Sequence, residues 1–355
     1  MTFYCLLYKE DSMKKSCLIL LLGWLSFSLS ATNYTPFVTD AEAKKAIKTF
    51  AKEMAVKHQF DEQQLFQQLS SMEHRQDIIE RITKPAEGLP WHRYRTIFIK
   101  DKRIDQGVEF WNKHQGLLNR AYEEYGVEPS MIVGIIGVET FYGRIQGNFP
   151  VLEALHTLGF YYPKRSKFFR SELAQFLILA RDQGWPLASI KGSYAGAMGM
   201  GQFISSSYRN FGVDFDGDGK INLFDNPADM IGSVANYFKR HGWKANGFVA
   251  EPIQFQKAHK PLLQKGLKLK HQLADLKAKN IDTKKLAGKT KKVGIFAFEQ
   301  TSGADEHWLV GDNFYAITRY NHSELYALAA FQLSELIREK REAQRQNVTE
   351  AVAGK

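Results

Sequence analysis

Met131-Ile-Val-Gly-Ile-Ile-Gly-Val-Glu-Thr140 is the stretch from which the rest of the chain is read. Pro129 opens a helix at its first position, where a missing N–H costs nothing. Met131, Ile132, Ile135 and Ile136 carry that helix to Glu139. Nearly every position is apolar, so the carboxylate that closes the run is partly desolvated. Desolvation penalises the anion and raises the pKa. A carboxyl held protonated near neutrality can donate a proton to a glycosidic oxygen. The segment alone fits equally a helix-end Glu that reaches solvent or a backbone partner.

Helical spacing continues on both sides. From Asp40 to Leu69, Ala46, Phe50 and Met54, then Phe60, Leu65, Phe66 and Leu69, recur at helix-like intervals. Asp61 is the N-cap of the second of these helices. Pro85 to Pro90 breaks the pattern. One long helix is expected from Arg103 to Tyr125, on a stripe of Ile104, Val108, Phe110, Trp111, Leu117, Leu118, Ala121 and Tyr122, with Gly126 ending it. Further helices are expected at Val151–Leu158, at Phe168–Gln183 and after Asn226-Pro227. The last buries Met230, Val234, Tyr237 and Phe238 and closes at Gly242. Between Phe248 and Asn313 the texture changes. Lys291 to Glu299 alternates, with Val293, Ile295 and Ala297 on one side, and His307 to Val310 reads as a second short strand. A final helix spans Ser323–Ala343. The fold class is mainly α (α+β): a helical part over 40–247, a small β-containing insertion over 248–312, a C-terminal segment and helix over 313–345, and a tail over 346–355.

The chain has 355 residues, 44% of them apolar, enough for one large or several modest domains. Lys14-Lys15, an apolar run from Cys17 to Leu29 and the small residues Ser28, Ser30 and Ala31 read as a signal peptide over 1–31, followed by a linker over 32–39. Met13 is an alternative start. A membrane anchor is the other reading, but the run is shorter than the ~20 apolar residues that span a bilayer. No Cys follows it to take a lipid. Both cysteines, Cys5 and Cys17, lie inside it, so the mature chain uses no disulfide, thiolate metal site or Cys nucleophile. The net charge is +10; removing residues 1–31 takes away three basic and two acidic residues and leaves +9. A basic secreted chain points to an anionic polymer: nucleic acid, or cell-wall polymer with its peptide and lactyl carboxylates. Much of the charge is lysine between Lys257 and Lys292, most simply a solvated face.

Three further segments carry chemistry. Gly192-Ser-Tyr-Ala-Gly-Ala-Met-Gly-Met-Gly-Gln-Phe203 has four glycines within ten residues, which lets backbone approach another surface closely. It lacks the strand and third Gly of a dinucleotide fingerprint. It is a packing turn or a substrate floor, with Ser193 and Gln202 as its hydrogen-bonding side chains. Asp214-Phe-Asp-Gly-Asp-Gly-Lys220 places carboxylates at loop positions 1, 3 and 5, Gly at 6 and a carbonyl at 7, the EF-hand calcium pattern. Position 12 is Asp225 rather than Glu, and Asp229 is the rival closing ligand. Asn313-Phe-Tyr-Ala-Ile-Thr-Arg-Tyr-Asn-His-Ser323, with Tyr326 beyond, interleaves aromatics and amides, which suits sugar binding or an aromatic core.

These segments occur in an order that resembles the membrane-bound lytic murein transglycosylase B family: Gly134 to Gly143, Gly192 to Phe203, Asp214 to Leu223, Gly232-Ser-Val-Ala-Asn-Tyr-Phe238 and Asn313 to His322. The resemblance spans roughly Asp40 to Ala343. It implies a lysozyme-like catalytic core flanked by a helical domain and a small β-containing domain. It also implies cleavage of the β-1,4 bond between N-acetylmuramic acid and N-acetylglucosamine without water. One Glu, here Glu139, protonates the leaving oxygen and then acts as base toward the muramic C6 hydroxyl, which closes a 1,6-anhydro ring. An intramolecular nucleophile removes the need for the second carboxylate of hydrolytic glycosidases. By motif, Ser193 and Gln202 line the cleft, and Tyr237, Tyr320, Asn321 and Tyr326 shape its subsites. Arg165 contacts substrate, and Tyr94 reaches the cleft. Asp214, Asp216, Asp218, the carbonyl of Lys220 and Asp229 hold a structural Ca²⁺, with Na⁺ as the alternative ion and no organic cofactor.

The chain departs from the family's pattern at Lys164 and Phe168, where Arg and Tyr are frequent, and by an insertion between Leu223 and Asp229. Family members are often lipoproteins; without a lipid-attachment Cys, a soluble periplasmic monomer is expected. Its implied partners are peptidoglycan glycan strands and, further, cell-wall synthesis enzymes, with no nucleic acid. A hydrolytic muramidase is the nearest alternative and needs an ionised Asp or Glu facing Glu139. A non-catalytic peptidoglycan-binding protein is the alternative of another class. A nucleic-acid binder accounts for the lysines but not for Glu139 or the Gly-rich loop.

Overall fold

The computed structural model describes residues 38–84 and 88–353. The expected signal peptide, most of the linker and Pro85 lie outside the described residues.

The first half is helical: α1 (Asp40–His58), α2 (Glu62–Ser70), α3 (Gln76–Ile82), α4 (Trp91–Phe98), α5 (Asp101–Lys113), α6 (Gln115–Tyr125) and α7 (Pro129–Thr140). A two-residue strand β1 (Phe149–Pro150) precedes α8 (Val151–Tyr161) and α9 (Ser166–Gln183). It pairs antiparallel with β2 (Lys191–Gly192). Then come α10 (Ser205–Phe211) and α11 (Pro227–Arg240). β3 (Ala250–Pro252), α12 (Leu273–Lys277), β4 (Gly294–Phe298) and β5 (Glu306–Val310) form the β-containing part. The chain ends with α13 (Asp312–Tyr320) and α14 (Glu324–Ala353).

At the centre stands α7. Every residue from Ser130 to Thr140 is buried. A helix with no polar face needs apolar neighbours on all sides, and α14, α5, α6 and α11 supply them. Gly134 sets the distance to α14: a Cβ there would lie 2.8 Å from Ser334 Cβ and 3.2 Å from the Ala330 carbonyl oxygen. Each large side chain buried in this core stabilises the fold by about 1.5–3 kcal/mol.

The expected long helix over Arg103–Tyr125 is two helices, broken at His114 (φ −112°, ψ 23°). The break lets one stripe serve two partners, since α5 packs on α14 and α7 while α6 packs on α11 and α7. Asp61 caps α2 as expected, its Oδ1 accepting the Gln64 N–H at 2.7 Å. The last helix runs on to Ala353, so the expected tail is helical as far as that residue. The motif from Asn313 begins with a helix, α13, which its aromatic and amide texture did not announce.

β3, β5 and β4 form an antiparallel sheet in that order. The expected one-sided alternation of β4 fails at Ala297, which is exposed, while Phe296 and Phe298 are buried. Both faces of the sheet are covered. Val293, Ile295 and Leu309 pack with Leu262, Leu276 and Leu286 from the 253–293 connection in a small core of their own. Phe296, Phe298 and Trp308 face the main helical core.

Candidate active site

Glu139 sits in the last turn of α7, 6% exposed. The helix stops there because Phe141 (φ 54°) and Tyr142 (φ 61°) both take the left-handed conformation. Their N–H groups donate to the Gly137 and Ile136 carbonyls, a reversal that satisfies the helix end. Non-glycine residues at positive φ are strained and persist where the surroundings hold them. The Tyr142 hydroxyl donates to the Arg103 carbonyl at 2.8 Å.

Thr140 joins this helix end to the Gly-rich segment. Its Oγ1 donates to the Met200 carbonyl at 2.6 Å and accepts the Gly143 N–H at 2.9 Å. Within the segment, Ser193 Oγ accepts the Ala197 N–H at 2.9 Å, and Met198 pairs with Phe203. Gln202 (φ 51°) donates through Nε2 to the carbonyls of Gln146 and Gly199, both at 3.0 Å. Gly201 gives its carbonyl to the Tyr320 hydroxyl at 2.7 Å, and a Cβ on Gly201 would lie 2.9 Å from that oxygen.

The result is a cleft of about 600 Å³ with Glu139 in its wall. Arg165, Phe168 and Phe169 form one side; Ala195, Ala197, Gln202, Phe203, Ile204 and Ser207 form another. Tyr237 and the run Arg319-Tyr320-Asn321-His322 complete it. Among the described residues that line the cleft, Glu139 is the one carboxylate. The Arg165 guanidinium lies 4.4 Å from the Phe168 ring centroid. Tyr237 and Tyr320 meet edge to face at 4.8 Å, and the Tyr237 hydroxyl donates to the Arg319 carbonyl at 2.5 Å.

Behind Glu139 stands Tyr326, whose hydroxyl donates to Glu139 Oε1 at 2.5 Å. Ser323 starts α14 at this point, its Oγ accepting the Tyr326 N–H at 3.2 Å. Burial, and then the Glu139 charge, push the hydroxyls of Tyr320 and Tyr326 far above the usual phenol range. Both therefore remain donors at any working pH. Burial, reinforced by the Arg319 charge, lowers His322.

Of the expected site residues, Glu139, Arg165, Gln202, Tyr237, Tyr320 and Asn321 meet in the cleft. Ser193 and Tyr326 stand just outside that lining: Ser193 braces the Gly-rich turn and Tyr326 holds Glu139 from behind. Tyr94 is buried, 1% exposed, packed on Phe98 at 5.2 Å and close enough to Tyr326 to affect its ionisation. The sequence reading did not single out Phe169, Phe203, Ile204, Ser207, Arg319 or His322. Arg319 and His322 lie within the quoted aromatic motif, but nothing local marks Phe169, Ile204 or Ser207.

A larger groove of about 730 Å³ runs between α1 and α9. Of its carboxylates, Glu42 caps α1 at Thr39 and exposed Glu53 pairs with Lys57, which lines the same groove.

The acidic loop closes on α11. Carboxylate oxygens of Asp214, Asp216 and Asp229 lie within 4.8 Å of one another. Asp229 is fully buried and accepts the N–H groups of Phe215 at 2.8 Å and Asn222 at 2.7 Å. Asp214 accepts from Gly217, Asp218 and Gly219, which winds the loop around it. Asp225 instead takes the Asn222 side chain, and Asp218 accepts the Lys220 N–H at 2.8 Å. Burial raises Asp229; the two backbone N–H groups oppose this, and the nearby Asp216 and Asp214 charges add to it. Three crowded carboxylates of this kind suit a hard cation with oxygen ligands.

The chain matches the family described as the transglycosylase SLT domain over residues 42–335. It is 44% identical over 299 residues to membrane-bound lytic murein transglycosylase B of Escherichia coli (strain K12), covering 81% of each chain. Its fold is similar to the soluble lytic transglycosylase SltB1 of Pseudomonas aeruginosa, with TM-score 0.74 and 43% identity over 84% of this chain and 99% of that one. It is equally similar to the Escherichia coli lytic transglycosylase Slt35 in complex with calcium, with TM-score 0.74 and 42% identity over 83% of this chain and 93% of that one. Among the described residues no helix is long and apolar enough to cross a membrane. The chain thus belongs to the SLT family of lytic murein transglycosylases, lyases that cleave peptidoglycan.

Proposed function

We propose that Glu139 is the acid and then the base of this cleavage. The observation that carries the reading is the one buried carboxylate among the described residues lining the cleft, held by the Tyr326 hydroxyl at 2.5 Å. Glu139 gives its proton to the oxygen joining N-acetylmuramic acid to N-acetylglucosamine, and that bond breaks. The carboxylate left behind takes the proton of the muramic C6 hydroxyl as its oxygen bonds to C1, closing the 1,6-anhydro ring. No water is consumed. A hydrolase of the inverting or retaining kind uses a second carboxylate about 5–9.5 Å away, and among the described residues that line this cleft there is no other.

Around the reacting bond, Gln202, Tyr237, Tyr320, Asn321 and Arg165 position the sugars, and Ser193 shapes the loop that carries Gln202. The exposed ring of Phe168 suits a pyranose face. Asp214, Asp216 and Asp229 are the residues to hold Ca²⁺, with the Lys220 carbonyl and Asp218 completing the loop; the similar Slt35 was solved with calcium. A cation held there would supply positive charge tying the Asp214–Asp216 loop to Asp229 on α11, the helix that carries Tyr237 into the cleft. The place of action is the periplasm, and cell-wall synthesis enzymes are the natural protein partners.

Mass spectrometry of muropeptides released from purified peptidoglycan tests the mechanism. Products ending in 1,6-anhydromuramic acid, absent with Glu139→Gln, are expected. Products one water heavier would make the enzyme a hydrolase.

A further inference from the structure

The positive charge of this chain is concentrated in one place. Residues 257–292 contain twelve lysines, no arginine and two acidic residues, Asp275 and Asp282, a net charge of +10. That equals the formal charge of the whole chain, so everything outside these residues sums to zero. Eleven of the twelve side chains are exposed; Lys279 is half-buried. Among the described residues, none of the twelve has a carboxylate partner within 4.0 Å.

This is not a loose basic tail. The segment wraps its own small core of Leu262, Leu276 and Leu286 over one face of the β3-β5-β4 sheet. The lysines are therefore held in place on a folded support. That support is tied to the cleft: the N–H groups of Lys291 and Lys292 donate to the Asp312 carboxylate at the start of α13. The nine-residue α13 spans about 13 Å. Its far end delivers Arg319 and Tyr320 to the catalytic cleft.

We infer that this lysine face is a second substrate-binding surface that takes the carboxylates of the stem peptides borne by the glycan strand. The inference rests on peptidoglycan being the substrate. Hydrated lysine ammonium groups without arginine forks read charge rather than shape, which fits flexible peptides bearing carboxylates at irregular positions. Twelve lysines without carboxylate partners on one short folded segment repel one another, and a polyanion relieves that repulsion. The polymer in the cleft is such a polyanion, and α13 places it within reach.

The test uses the full chain with Lys284→Gln, Lys285→Gln, Lys289→Gln, Lys291→Gln and Lys292→Gln combined. Co-sedimentation with purified sacculi is measured across a salt series, beside cleavage of sacculi and of glycan strands stripped of stem peptides by an amidase. The variant should bind sacculi about ten-fold more weakly at low salt, from five screened surface charges each worth a few tenths of a kcal/mol. The difference should fade as salt rises. Its kcat/KM should fall on sacculi and stay unchanged on stripped strands, which also shows that it folds. Unchanged sacculus binding overturns the inference, as does an equal loss on both substrates. A variant that keeps sacculus binding but loses binding to phosphatidylglycerol vesicles also overturns it, because the face then serves a membrane. If the unaltered protein cleaves neither substrate, the peptidoglycan assignment fails, a result distinct from any of these.

Discussion

The Tyr326 hydroxyl meets Glu139 Oε1 at 2.5 Å across 187 residues of chain. One group opens α14 and the other closes α7, and both are buried. Tyr326→Phe should lower kcat about ten- to hundred-fold, the value of a hydrogen bond to a charged group. KM should change little, because Tyr326 stands behind the cleft. A hydrogen bond to the carboxylate favours its charged form, so removing it should move the alkaline limb of the pH–rate profile to higher pH. An unaltered profile with an unaltered kcat would show the contact to be incidental.

The approach of α14 to α7 depends on Gly134. With Ala at 134, the new Cβ lies 2.8 Å from Ser334 Cβ. Gly134→Ala should destabilise by about 1–3 kcal/mol through overpacking and displace Tyr326 from Glu139, lowering kcat as well as Tm. Adding Ser334→Gly removes the nearest clashing atom and should restore part of both. Thermal unfolding and kcat of the two variants decide the matter; a double variant no better than the single would place the strain elsewhere.

Calcium should stabilise the protein through the acidic loop. Asp216 is exposed, and its ionised form is favoured first by the Asn226 side chain. Asp216→Asn should leave the metal-free Tm nearly unchanged and abolish most of its rise on adding Ca²⁺. At a hundred-fold excess over Kd, that rise corresponds to about 2.7 kcal/mol. Calorimetry with and without chelator reads it directly, and an undiminished rise in the variant would exclude Asp216 as a ligand.

His156 makes the fold sensitive to acid. It is fully buried in α8 beside Phe160 and Tyr161. Burial lowers its pKa from 6.5 to about 4, with the Leu69 backbone opposing and His74 assisting. The native state keeps it neutral while the unfolded chain takes a proton below 6.5. Its contribution is therefore complete above pH 6.5 and lost as pH falls toward 4, by up to about 3 kcal/mol. Denaturant unfolding of the wild type and His156→Leu, compared at pH 7 and pH 4.5, should show the variant gaining relative stability at the lower pH.

Local rules made much of this protein legible in its sequence. The apolar run to Glu139, the Asp61 cap and the Asn226-Pro227 helix start each depend on residues a few positions apart, and each stands where it was expected. The sequence motifs name Arg165, Gln202, Tyr237, Tyr320 and Asn321, but how they and Phe169, Ile204 and Ser207 are set around Glu139 was decided only by tertiary structure. The motif places Tyr326 among the subsite residues; packing of α14 on α7 at Gly134 instead sets its hydroxyl against Glu139. Asp229 rather than Asp225 closes the acidic group because α11 starts at Pro227 and carries Asp229 inward, a matter of helix phase. His114 breaks a continuous stripe because α5 and α6 have different neighbours. Phe296 is buried because its face of the sheet lies on the main helical core, whereas Ala297, on the face of Ile295, is left exposed. Periodicity, caps and turn chemistry are short-range properties and can be read along the chain. Which buried faces meet is set by packing between distant segments, and that is where the site is assembled.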